Sequence, residues 1–147
     1  MFREKGVVEG ESLEIKHSSG GWVSPDVWAH ESLYEEVSGH KVMIWHAPRE
    51  PNDELQLNFV WPEAGTYKVK INKVLTKEGG KFQIYLNEEL GEMLDFSSGE
   101  VENATEKQKL GTVQLKPGPQ QLRLQWAGEK GEGGEMRLDY LKFAKID

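Results

Sequence analysis

Two runs, Tyr67-Lys68-Val69-Lys70-Ile71-Asn72 and Phe82-Gln83-Ile84-Tyr85-Leu86-Asn87, decide how this chain folds. In each, apolar and polar side chains alternate one for one, the pattern of a strand buried on one face. Between them stands Glu78-Gly79-Gly80, where glycine tolerates the positive φ that tight turns demand. The stretch from Gly65 to Asn87 therefore predicts an antiparallel hairpin with one apolar face. A lone hairpin is marginal in water, so the flanking segments must supply further strands and a second apolar layer.

Upstream, Leu55, Leu57, Phe59 and Trp61 alternate with Gln56, Asn58 and Val60, and Lys41 to His46 carries apolar residues on both faces (Val42 and Ile44, Met43 and Trp45), as in a strand covered on both sides. Downstream, strands are expected at Leu90 to Phe96, Leu110 to Leu115, Gln121 to Trp126 and Met136 to Phe143, with Ser97 to Lys109 as a polar loop and Lys116 to Pro119 as a turn. Lys16 to Gly39 shows no sustained period and is expected to be loop with room for one short strand. No amphipathic helix is apparent. Short strands at this spacing predict an all-β fold, an antiparallel β-sandwich.

Three carboxylates interrupt the apolar stripes. Val7 to Ile15 reads as a first strand in which Glu9 and Glu11 share the side of Val7, Leu13 and Ile15, and Asp139 shares a face with Leu141 and Phe143. Either an irregularity rotates them to solvent, or they lie at the sandwich edge and find a cation.

The chain has 147 residues, the size of one domain spanning 1–147, and 37% hydrophobic with 29% charged residues argues against global disorder. Eighteen basic against twenty-five acidic side chains leave a net charge of -7, which disfavours nonspecific binding to nucleic acid or membrane but permits a local basic site. The absence of cysteine excludes disulfides, thiolate metal sites and a cysteine nucleophile. No apolar run approaches the roughly 20 residues of a membrane-spanning helix, and the first residues do not resemble a signal peptide.

Val8-Glu9-Gly10-Glu11, Glu63-Ala64-Gly65-Thr66-Tyr67, Leu115-Lys116-Pro117-Gly118 and Leu138-Asp139-Tyr140-Leu141 occur here in the order found in β-sandwich carbohydrate-binding modules. The chain resembles the galactose-binding-like jelly roll of family six and family thirty-five modules. It is most similar to the jelly-roll modules attached to bacterial glycoside hydrolases of the DUF2961 type, where patterns like Tyr85-Leu86-Asn87 and Asp95-Phe96 also occur. The resemblance covers almost the whole chain. It implies a noncatalytic module binding a poly- or oligosaccharide, attached to a catalytic domain in an extracellular or periplasmic parent protein. It also implies a structural calcium held by Glu9, Glu11 and Asp139, whose oxygens are the hard ligands calcium takes.

Sugar binding by such a module needs a flat aromatic surface with a few polar groups beside it. Trp45, Trp61 and Trp126 lie in apolar strands and are expected in the core. Trp22, Trp28 and Tyr34 lie in the long polar segment with Asp26 and His30, and these five are the candidate ligand residues. The four histidines lack zinc-site spacing, and no nucleophile elbow or phosphate-binding glycine loop is present, so an enzyme is not expected. The rival reading is a structural or protein-protein interaction sandwich without sugar binding, which a contiguous apolar patch on a sandwich face would favour.

Overall fold

The alternating pattern is realised in a computed structural model as strands throughout. It describes residues 6–10, 13–19, 22–28, 37, 41–46, 53–88, 90–98, 103–127 and 134–146. In chain order the strands are β1 (Val7–Glu9), β2 (Glu14–Ser18), β3 (Trp22–Trp28), β4 (Lys41–His46), β5 (Glu54–Trp61), β6 (Gly65–Thr76), β7 (Lys81–Leu86), β8 (Leu90–Asp95), β9 (Asn103–Leu115), β10 (Gly118–Trp126) and β11 (Met136–Ile146). The first sheet has the order β3-β4-β11-β6-β9, with β1 also on β11, and the second has the order β2-β5-β10-β7-β8. Every pairing between strands is antiparallel.

The core lies between the sheets and follows directly from the alternation. Tyr67, Val69 and Ile71 of β6 meet Phe82, Ile84 and Leu86 of β7 and Leu122 and Leu124 of β10 in one buried cluster. Trp45, Trp61 and Trp126 join it, as expected of tryptophans in apolar strands. A smaller cluster of Val37, Val42, Ile44 and Val74, with Val27 against it, covers the other face of β4. The two-sided apolar character of β4 is therefore satisfied within the chain and leaves no patch there for a partner.

The hairpin expected over Gly65 to Asn87 does not form. β6 pairs with β11 and β9, whereas β7 pairs with β10 and β8. Residues Glu78-Gly79-Gly80 carry the chain from one sheet to the other, held by Gly79 N–H to Thr76 O (3.1 Å), Gly80 N–H to Glu135 O (3.0 Å) and Phe96 N–H to Gly80 O (2.9 Å). A period of two tells which face of a strand is buried but not which strand lies beside it. Two strands facing one core from opposite sheets give the same pattern as a hairpin.

The expected strand Val7 to Ile15 is likewise divided between the sheets. Val8 lies opposite Leu141 in the first sheet and Ile15 opposite Leu57 in the second. Leu13 is buried, but Ile15 is exposed on an edge strand whose register slips between Ile15 and His17.

Two further expectations fail because a regular period is hidden. Among its described residues, Lys16 to Gly39 holds the end of β2 and all of β3, more strand than the one short strand expected. In β3 the register with β4 shifts between Ser24 and Val27, so Val23 packs on the main core and Val27 on the outer cluster. One extra residue there reverses the alternation. Pro25, which lacks an N–H, sits at that shift on an edge strand, where proline is tolerated. The expected loop Ser97 to Lys109 is largely strand, since β9 runs from Asn103. Polar residues stand there where a core-facing strand would carry apolar ones: Gln108 accepts a bond from the buried Lys73 Nζ (2.8 Å), and the exposed Glu106 pairs with the same ammonium (2.8 Å).

Candidate functional site

Trp22 and Trp28 stand at the two ends of β3, an outermost strand of the first sheet among the described residues, and are 55% and 61% exposed. Trp22 lies opposite His46, and the two rings stack with centroids 4.9 Å apart and planes 13° from parallel. His46 Nε2 is in turn 2.9 Å from Ser24 Oγ, which fixes the imidazole beneath the indole. Trp28 lies opposite Lys41, whose Nζ sits 4.5 Å from the indole centroid. His46 and Lys41 are an odd number of residues apart on a regular strand, so they and their tryptophans occupy opposite faces of the sheet. Without the register shift at Pro25 and Asp26 both tryptophans would share one face.

The edge therefore offers two separate aromatic surfaces, each backed on one side by a protein group. Asp26 takes part in the backbone shift, but its side chain, together with His30 and Tyr34, lies outside the described residues. Sequence reasoning named the tryptophans but missed His46, Ser24 and Lys41, which hold them. The signal was available only as a pairing between β3 and β4, and the extra residue in β3 concealed it.

Of the three carboxylates, Glu9 and Asp139 are fully buried, and Glu11 lies outside the described residues. The alternative in which an irregularity turns them to solvent does not hold for the two described. β11 changes partner at this point: Met136 to Leu138 pair with β4, and Tyr140 to Lys142 pair with β1. Its register with β6 shifts between Leu138 and Tyr140. The extra residue is Asp139, which explains why it and Leu138 are both buried. Asn72 donates from Nδ2 to Asp139 Oδ2 at 2.7 Å. Glu9 lies opposite Tyr140, and Gly10 follows so closely that a Cβ there would be 2.4 Å from Leu138 O and 3.2 Å from Asp139 O. The two acidic residues therefore occupy adjoining strands in a dry environment.

On the outer face of the second sheet, Arg123 lies over the Tyr85 ring at 4.1 Å and is bonded to Glu88 through Nε and Nη2, both at 2.9 Å. These hydrogen bonds hold the Glu88 carboxyl below its ordinary range and raise the Arg123 guanidinium. Glu54 approaches the same guanidinium at 3.3 Å. With its charge matched internally, Arg123 acts as a fixed lid on Tyr85 rather than as a free cation.

No family model matches the chain, and no curated protein sequence matches it. Solved structures share its fold over nearly its whole length. A Paenibacillus xanthan lyase superposes with a TM-score of 0.77 at 20% identity, over 97% of this chain and 13% of the lyase. A family 35 carbohydrate-binding module from Clostridium thermocellum superposes with a TM-score of 0.58 at 20% identity, over 96% of this chain and 99% of the module. A family 35 module from an environmental isolate gives 0.60 at 14% identity, over 94% and 91% of the two chains. The fold is thus the antiparallel jelly-roll sandwich of family 35 carbohydrate-binding modules. The chain matches such modules end to end and spans about an eighth of the lyase.

Proposed function

We propose that the chain is a noncatalytic carbohydrate-binding accessory module of a larger, secreted bacterial glycan-processing protein. The observation that carries this reading is the pair Trp22 and Trp28, the only exposed tryptophan, tyrosine or phenylalanine side chains among the described residues, on a sandwich that matches carbohydrate-binding modules over nearly their whole length. An indole face suits the apolar face of a pyranose, and a backing group keeps the ring from collapsing onto the protein. Asp26 and His30 are the proposed partners of the sugar hydroxyls, with Tyr34 a further candidate ligand residue. A single stacking contact contributes on the order of 1 kcal/mol beyond area burial, so retention on a polymer relies on repeated engagement.

In this reading Glu9 and Asp139, with Glu11, hold a structural calcium. Their fit rests on chemistry: Glu9 and Asp139 are buried carboxylates on adjoining strands, and all the donors are hard oxygens of the kind calcium takes. The ion would supply charge compensation and tie β1 to β11, with no part in a reaction.

Affinity electrophoresis and a glycan array on the isolated chain test the reading. Trp28→Ala is expected to abolish retention on the recognised glycan while leaving Tm nearly unchanged. Trp22→Ala tests the opposite face in the same gel. Retention that survives both substitutions, or unfolding by either, overturns the stacking role.

A further inference from the structure

A second surface lies two strands beyond the neighbour of β3, on the outer face of β6 and β9. The pairing sets Lys70 directly opposite Lys109, Lys68 opposite Thr112 and Lys107 opposite Asn72, while Lys142 of β11 flanks Lys70 on its other side. Lys68, Lys70, Lys107 and Lys109 are all exposed and form no ion pair among the described residues. The outward positions of β6 and of the described part of β9 include no carboxylate, in a chain with twenty-five acidic residues.

At the centre of this cluster the register shifts between Val69 and Lys70, where Leu110 is the extra residue of β9. Gly111 beside it has φ 125°, a conformation that L side chains rarely adopt. The shift opens a groove of about 320 Å³ lined by Lys68, Val69, Lys70, Lys109, Gly111 and Thr112. Like charges directly opposite each other on neighbouring strands destabilise a sheet. Lys70 and Lys109 do so beside a preformed concavity, in a protein of net charge -7.

We propose that this groove binds an anionic polysaccharide through its carboxylate groups, as a glycan surface distinct from the tryptophan edge. The glycan nature of the ligand rests on the function proposed above, whereas its charge rests on the lysines alone. A polymer with one carboxylate on some of its rings matches a few ammonium groups, while a duplex phosphate backbone would extend over the acidic remainder of the surface and be repelled. The groove contains lysine and no arginine, so it offers point charges rather than a planar bidentate fork to an anion of either kind. None of the exposed large apolar side chains lies on β6 or β9, so this face has nothing to insert into a bilayer. Thr112 adds a hydroxyl for the sugar.

The test uses affinity gels of polygalacturonate, alginate and hyaluronan, carboxyl-reduced polygalacturonate as the neutral counterpart, duplex DNA, and phosphatidylserine vesicles. The unmodified chain is expected to be retained by at least one carboxylated polymer, with retention falling as salt rises from about 0.05 to 0.5 M. Lys70→Gln with Lys109→Gln should raise Kd roughly tenfold, Lys116→Gln on a remote turn should not, and Tm of the double variant should hold or rise as the repulsion is removed. Absence of binding to all three acidic polymers, equal binding by the double variant, equal retention of the carboxyl-reduced polymer, or tighter binding to DNA or vesicles each overturns the proposal. Loss of acidic retention in Trp22→Ala or Trp28→Ala would merge the two surfaces and overturn it as well. Loss of neutral-glycan retention alone in those variants supports two separate surfaces.

Discussion

Gly79→Ala separates a chain that crosses between sheets from one that turns back in a hairpin. At the tip of an exposed two-stranded hairpin the substitution would change stability by a few tenths of a kcal/mol, apart from any effect of φ. In the crossing described above, a Cβ on Gly79 would stand 1.8 Å from Phe96 O and 2.3 Å from Phe96 C. Both are backbone atoms, so no side chain can rotate away, and the segment must move by more than an ångström. That movement pulls on the bonds Gly79 N–H to Thr76 O, Gly80 N–H to Glu135 O and Phe96 N–H to Gly80 O. At about 1 kcal/mol net for each bond, loss of two or three destabilises by roughly 2–3 kcal/mol. For a chain of this size that lowers Tm by about 4–12 °C. Urea unfolding should show a reduced midpoint with an unchanged slope, the mark of altered stability without altered compactness. A variant within about 0.5 kcal/mol of the parent would refute the crossing and restore the hairpin.

Chelation of the purified chain should lower Tm, and added calcium should restore it, because an ion bound only by the folded state stabilises by mass action; a melting curve indifferent to both removes calcium from Glu9, Glu11 and Asp139. Glu88→Gln should weaken the chain by a few tenths of a kcal/mol at neutral pH, a small value because Glu88 is largely exposed and its pair with Arg123 is screened. Its carboxyl is depressed in the folded state, so the contribution is present above the unfolded carboxylate range and lost as pH falls through the folded value. The difference between parent and variant should therefore vanish in acid, and a difference that grows on acidification would contradict the assigned direction.

The sheet faces were legible in the sequence to the extent that alternation was regular. Tyr67 to Ile71, Phe82 to Leu86 and Leu122 to Leu124 point inward as their pattern demands. Partnership was not legible, because pairing is fixed by contacts far along the chain, and so β6 and β7 were expected to lie side by side. The misread segments share one physical cause, an interrupted apolar period. β3 conceals its alternation behind an extra residue, and β9 presents Gln108 inward, with the exposed Glu106 reaching the same Lys73, where apolar residues would have marked a strand. For the candidate site, composition and position identified Trp22 and Trp28, but only the register reveals that they face opposite ways. The lysine groove was hidden for the same reason as β9: Lys107 and Lys109 have no visible relation to Lys68 and Lys70 until the strand pairs.

The change of partner along β11 has a bearing on the order in which the molecule can form. β11 is the last described strand, yet it lies at the middle of the first sheet, joining β1 and β4 on one side to β6 on the other. Until it arrives, β1 and β4 have no neighbour linking them to β6, and β4 presents apolar side chains on both faces. During synthesis the N-terminal part of this chain thus waits, partly unpaired, for its C-terminal strand. Closing such long loops is slow compared with pairing neighbours, and the exposed strand edges of the waiting chain are its most aggregation-prone state. Within a multidomain parent, this would be a module whose folding is gated by complete emergence from the ribosome, with β11 acting as the keystone laid last.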